Sequence, residues 1–188
     1  MCYLSTSYRC SDGVGVMFKM FFPDAYLENV HAIDFKGFRE KGYKAILFDI
    51  DNTLVCHGAP ATPEIIAFFG ELRNMGYQAM VMSNNKEPRV KSFAEAVGNI
   101  GYVYKAAKPA KRSYLRCMDK MGTDIHNTLF VGDQLFTDVW GAKRCGIFSI
   151  LVKPIDPKEE IQIVLKRYLE RIVLHFYKKE CGKSGAED

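Results

Sequence analysis

The sequence predicts an α/β protein of three layers, with a parallel sheet of about five strands between two layers of helices. Three observations predict it. Short apolar runs alternate with stretches of helical period along the chain. The run before Asp49 is apolar at every position, as a strand covered on both faces requires. Polar residues, Asp49, Ser83 and Asp133 among them, stand just past these runs, where an open α/β sheet gathers its ligands.

Residues 1–16 carry Ser, Gly and two Cys without usable periodicity and are expected to form a disordered N-terminal extension. An aromatic-rich stretch follows, from Met17 and Phe18 through Phe21, Phe22 and Tyr26, broken by Pro23. It reads as an interfacial anchor or as a flap covering the sheet, and apolar clusters in soluble chains favour the flap. A helix is expected over 34–41, stopped by Gly42. Residues 45–48 are too few for a helix and form the strand that ends in Asp49.

Thr62 as cap and Pro63 at the first position start a helix that runs through Ile65, Phe68, Phe69 and Leu72 to Gly76. Strand 77–82, a helix from Pro88 to about Val97 and a short strand 102–104 come next. A helix over 109–121 leads to strand 128–131, and a helix over 135–144, closed by Gly146, leads to strand 147–152. The last helix, 157–179, places Ile161, Val164, Leu165, Tyr168, Leu169, Ile172, Val173 and Phe176 at 3.6-residue spacing, a stripe expected to pack on the sheet. Lys166, Arg167, Arg171, Lys178 and Lys179 crowd its other faces, which are either solvated or turned to anionic lipid. Residues 17–180 thus make one domain, and 181–188 a flexible tail.

With 188 residues, 48% hydrophobic and 26% charged, the chain has enough apolar material for one sizeable core and the overall composition of a soluble globular protein. A net charge of +4 permits an anionic substrate or surface without calling for nucleic acid. Six scattered cysteines with no CxxC pair, and no secretory signal, point to free thiols in a reducing cytoplasm. His31, His57, His126 and His175 are isolated and read as structural. No apolar run reaches membrane-spanning length, so the protein is expected to be cytoplasmic, soluble or peripheral to a membrane.

Chemistry concentrates after strand 45–48. Asp49 and Asp51, two residues apart, are costly to ionise together in a dry pocket, which implies a metal ion, a division of roles, or both. A carboxylate can also attack phosphorus directly. Three further stretches follow in order: Met82-Ser83-Asn84-Asn85, Ala107-Lys108-Pro109, and Val131-Gly132-Asp133-Gln134-Leu135-Phe136-Thr137-Asp138.

With Asp49-Ile50-Asp51-Asn52-Thr53, these stretches resemble the four signature motifs of the haloacid dehalogenase superfamily of aspartate-nucleophile phosphatases. The wording is similar to the YqeG-like branch, which includes phosphatidylglycerophosphate phosphatases, and the likeness runs from about Met17 to about Tyr177. The resemblance implies a Rossmann-like fold with Asp49 as nucleophile and Asp51 as general acid and base. It implies a metal held by Asp49, the backbone carbonyl of Asp51 and Asp133, with Asp138 supporting it directly or through water; hard oxygen ligands beside a phosphate suit Mg2+. Ser83 and Asn84 would bind the phosphoryl group, although the same residue types cap helices, and Lys108 would neutralise its developing charge.

Superfamily members often carry a cap domain in one of two gaps. Here the gap after Asp51 has room for one helix and its turns, and Ser83 to Lys108 is as short, so no cap is expected. An open site suits a large substrate that serves as its own lid, or cover by a second subunit in a homo-oligomer. Phosphatidylglycerophosphate, an anionic lipid headgroup at a membrane surface, fits the first description. Two other readings stand beside it: another phosphorylated substrate (a phosphoprotein, a nucleic-acid end or a sugar phosphate), and a fold retained as a binding module. Loss of Asp49, Asp51, Lys108 or Asp133 would mark the binding module, and all four are present.

Overall fold

The computed structural model describes residues 18–156 and 161–184, the side chains of 161–167 and 181–184 excepted. The expectations for 1–16, for the start of the last helix and for 185–188 fall outside the described residues. In chain order the elements are β1 (Ala25–Leu27), α1 (Phe35–Glu40), β2 (Ala45–Phe48), α2 (Pro63–Asn74), β3 (Gln78–Met82), α3 (Glu87–Ala96), β4 (Gly101–Val103), α4 (Lys111–Met121), β5 (Thr128–Gly132), α5 (Trp140–Cys145), β6 (Phe148–Val152) and α6 (Ile161–Ser184). One wide π-type turn, Leu135–Val139, leads into α5.

The six strands form one parallel sheet in the order β1-β6-β5-β2-β3-β4. The chain builds outward from β2 through β3 to β4, then crosses back to lay β5 and β6 on the other side. Strand order therefore reverses between β2 and β5, and the crevice beyond their carboxyl ends is the place such a sheet offers for ligands.

Every residue of β2 is fully buried because both faces are covered. Ile46 and Phe48 face one core with α1, α2 and α3, while Ala45 and Leu47 face another with α4 and α5. In the first core Phe35, Phe48, Phe68, Phe69 and Phe93 meet in edge-on and tilted pairs. Each ring contributes roughly 2 kcal/mol of burial, well above the ~1 kcal/mol ceiling of an exposed ion pair, so this cluster does most to hold the helices to the sheet. The helix starts follow the sequence: Thr62 Oγ1 accepts from the Ile65 amide at 3.2 Å with Pro63 opening the helix, and Asp34 Oδ1 accepts from the Gly37 amide at 2.9 Å.

The expected parallel sheet is present with six strands, the sixth being Ala25–Leu27, within the Pro-broken aromatic stretch, which pairs with β6. Two expectations are corrected. The helix after Lys108 begins at Lys111 rather than at Pro109, with Ala110 at its cap position; the Lys108–Pro109 peptide is cis. The stripe of α6 does not all pack inward. Val173 is buried and Phe176 stacks on Phe18, but Tyr168, Leu169 and Ile172 are 63%, 49% and 40% exposed. Glu170 explains the rotation: its carboxylate is buried and accepts from the Leu135 amide at 2.7 Å, turning the 170, 173 and 177 side inward. The aromatic stretch lies beneath α6, with Phe21 against Phe136 and Trp140 and Phe22 against Tyr177, as a covering flap would.

The expected absence of a cap holds. Only α2 lies between Asp51 and β3, and only α3 and β4 lie between Ser83 and Lys108. Cys56, Cys117 and Cys145 are free thiols.

Candidate active site

Strand register assembles the site. Phe48 pairs with Val81 on one side and Val131 on the other, so Asp49, Ser83 and Asp133 leave their strands at the same end. The Asp49 amide donates to the Val131 carbonyl at 2.9 Å, extending the ladder to Asp49. Asn52 then takes a left-handed conformation, φ 65°, which an Asn tolerates better than most residues. That turn brings Thr53 back over the crevice, where its hydroxyl donates to Asp133 Oδ1 at 3.1 Å.

Asp49, Asp133 and Asp138 are all buried and offer carboxylate oxygens within 4.8 Å of one another. Among them stands Lys108, buried as well, whose ammonium donates to Asp49 Oδ1 and to Asp138 Oδ1, each at 2.6 Å. The other oxygen of Asp138 accepts from the Gln134 amide at 3.1 Å. Three formal negative charges thus face one positive charge. Such an imbalance away from water is relieved by a proton or by a further cation, and three hard oxygen donors fit a hard divalent ion. Burial pushes the Asp49 carboxyl up to about 6, against the pull of Lys108 and with Asp138 and Asp51 adding to the rise. Lys108 moves the other way from what burial alone would do: Asp138 and Asp49 hold its ammonium protonated, well above the ordinary lysine range.

Asp138 is placed from two sides. It sits so close to β5 that a Cβ on Gly132 would lie 2.6 Å from its side chain. From α4, the buried Tyr114 hydroxyl donates to the carbonyls of Thr137 and Asp138, at 2.9 and 3.3 Å. Tyr114 fits because residue 141 is Gly; a Cβ there would clash with its hydroxyl.

The Lys108 loop is stitched to the end of β3. Asn84 Oδ1 accepts from the Lys108 amide at 2.8 Å and its Nδ2 donates to the Lys108 carbonyl at 3.4 Å, while the Ala106 amide donates to the Ser83 carbonyl at 3.1 Å. The Asn84 side chain is therefore a clamp on the lysine loop. Neither Ser83 nor Asn84 caps α3, which begins at Glu87 with no side-chain cap. Ser83 is buried, and its Oγ accepts from the Asn85 amide at 3.1 Å. The hydroxyl hydrogen has no acceptor among the described residues.

Asp51 lies outside this cluster. Its Oδ1 accepts from the Gly58 amide at 2.9 Å and from Arg89 Nη2 at 3.0 Å, and its Oδ2 from Asn85 Nδ2 at 3.4 Å. Burial raises its pKa, but these three donors outweigh burial and hold the carboxyl below its usual range. The two acids of the first motif are thus set apart by their surroundings, one pushed toward the protonated form and the other kept ionised.

The Bacillus subtilis (strain 168) protein Probable phosphatase YqeG is 37% identical over 163 residues, spanning 86% of this chain and 94% of that one. The chain belongs to the haloacid dehalogenase-like hydrolases. The model of that family matches residues 55–146. Phosphatidylglycerophosphate phosphatase 1 of Arabidopsis thaliana, chloroplastic/mitochondrial, is 25% identical over 177 residues, covering 86% of this chain but 48% of its own length. Among solved structures, the cobalt-bound deoxy-D-mannose-octulosonate 8-phosphate phosphatase (YrbI) of Haemophilus influenzae shares the fold, with a TM-score of 0.50 at 14% identity over 74% of this chain and 91% of that one.

This haloacid dehalogenase-like hydrolase is an enzyme of phosphoric monoester hydrolysis. Its fold brings Asp49, Lys108, Asp133 and Asp138 together and sets Asp51 and Ser83 beside them. Arg89, Asn85, Thr53 and Tyr114, which hold these residues, had not been singled out in the sequence. Asn85 closes a quoted motif and Thr53 another, so proximity was a usable sign for both. Arg89 and Tyr114 are helical residues whose direction only tertiary packing sets.

Proposed function

We propose that this chain is a Mg2+-dependent phosphatase that works through an aspartyl phosphate on Asp49, with phosphatidylglycerophosphate as its substrate. The observation that carries the mechanism is the buried ammonium of Lys108, 2.6 Å from both Asp49 and Asp138, with Asp133 alongside.

Asp49 attacks phosphorus in line, the bond to the leaving oxygen breaks, and Asp51 supplies the proton that oxygen needs. Asp51 then takes a proton from water, which attacks the acyl phosphate, releasing inorganic phosphate and restoring Asp49. The Arg89 pair keeps Asp51 in the form that deprotonates water, so the acid form used in the first half requires that pair to relax as substrate enters. Lys108 orients Asp49 and meets the charge gathering on the transferring group, while the Ser83 hydroxyl has a hydrogen to give a phosphoryl oxygen. Mg2+ held by Asp49, Asp133 and the Asp51 carbonyl, with Asp138 behind, would reduce the repulsion between nucleophile and substrate.

The lipid assignment is supported by the plant relative's name, by the open site, and by α6. Tyr168, Leu169 and Ile172 lie exposed on the helix that also carries Arg171, Lys178 and Lys179, a combination suited to an anionic bilayer. Among the described residues no helix is long and apolar enough to cross a membrane, so contact would be peripheral.

The test is phosphate release from phosphatidylglycerophosphate in mixed micelles, with and without Mg2+, beside an aryl phosphate and an Asp49→Asn control. Metal-dependent turnover favouring the lipid and lost in the control is expected. Turnover of the aryl phosphate alone would refute the lipid substrate.

A further inference from the structure

Arg89 stands at the mouth of the site with more donors than its neighbours use. It projects from the first turn of α3, its guanidinium lies 5.6 Å from the centre of the Phe93 ring, and its side chain is 17% exposed. Nη2 reaches Asp51 at 3.0 Å, but Nε is buried and has no hydrogen-bond partner among the described residues. Asp51 does not depend on Arg89 for its seat, since the Gly58 amide holds the same oxygen and Asn85 holds the other. A guanidinium presents five donors in a planar fork suited to a phosphate or carboxylate, and a single bond to Asp51 leaves most of that fork idle.

The position fixes what an idle fork could meet. Asp51 faces the leaving oxygen if it is the proton donor, so a group beside Asp51 on its outer side faces the alcohol being released. The exposed Lys86 precedes Arg89 by less than one turn, and the exposed Lys105 is tied to the same rim by its amide bond to the Asn85 carbonyl, 3.0 Å. Among the described residues no cap domain covers this side, which leaves the rim residues to meet the alcohol.

We propose that Arg89 is the specificity-determining residue for a second anionic group, a phosphodiester, carried by the alcohol portion of the substrate. In the free enzyme it rests on Asp51; with substrate bound it turns its fork to the phosphodiester and releases Asp51. This rests on the phosphatase reading above.

The experiment compares kcat/KM for two water-soluble phosphomonoesters, glycerol 3-phosphate and glycerophosphoglycerol phosphate, which adds a phosphodiester. The enzymes are wild type, Arg89→Lys and Arg89→Ala, each checked for folding by circular dichroism. The preference for the diester-bearing compound should fall roughly tenfold to a hundredfold in Arg89→Ala, chiefly through KM, as loss of a charge-assisted bond implies. Arg89→Lys, which keeps charge without the fork, should retain part of it. An unchanged preference overturns the proposal, including the case where both substrates slow in parallel, which would make Arg89 a positioning residue for Asp51. If wild type turns over neither compound, the phosphatase reading fails and calorimetric binding of the same two compounds decides this one. A binding preference lost in Arg89→Ala would uphold it, and no preference in wild type would overturn it.

Discussion

Asp49 carries the sharpest conflict in the molecule, since the nucleophile role proposed for it requires ionisation and burial opposes ionisation. Its carboxyl is pushed up to about 6, above its ordinary value, so between roughly pH 4 and 6 the folded chain holds a proton there that the unfolded chain has lost. The stability this provides is present at low pH and disappears as pH rises through that window. Mg2+ held there as proposed would need the carboxylate and replace the proton, so its stabilising effect should grow over the same range. Thermal unfolding with Mg2+ and with EDTA, at about pH 5 and about pH 7.5, checks this; the gain in Tm from Mg2+ should be clearly larger at the higher pH, and equal gains would refute it. The residues of this conflict were legible in the sequence because acids at strand ends stand in fixed places. Their partners were less so: Asn84 clamps the lysine loop and Arg89 meets Asp51 through contacts between elements that no local spacing encodes.

At the scale of elements, the catalytic geometry depends on how tightly α4 and α5 cross beneath the π-type turn. Gly141→Ala would thrust a methyl group into Tyr114, which is fully buried and holds the Thr137 and Asp138 carbonyls. A loss of about 1–3 kcal/mol in urea unfolding is expected, together with a fall in kcat as Asp138 loosens its hold on Lys108. Tyr114→Phe should lose less stability, because the ring still fills its space. An alanine variant as stable and active as wild type would show that the turn is not braced in this way. The helices and the inner strands were readable from period, from Thr62-Pro63 and from the stopping glycines. β1 was not, because three residues after a proline carry no alternation, and the inward side of α6 was misjudged because a buried glutamate is invisible to a hydrophobic stripe.

Across the whole molecule, net charge +4, an uncapped crevice and the exposed residues of α6 would act together in the proposed contact with an anionic membrane. Leu169→Asp combined with Ile172→Asp removes two apolar side chains, each worth roughly 1.5–3 kcal/mol when buried, so binding to anionic vesicles should weaken by more than about tenfold. Co-sedimentation at low salt reads this directly, and equal binding by the double variant would move the contact elsewhere. A different consequence follows from the way Phe18 stacks on Phe176 and Phe22 meets Tyr177. During synthesis the aromatic stretch emerges before the helix that covers it. Until α6 follows, those rings lack that cover, and the edge strand beside them waits for β6. The nascent chain therefore passes through a period of sticky exposure that lasts until α6 leaves the ribosome, and a slow ribosome lengthens it.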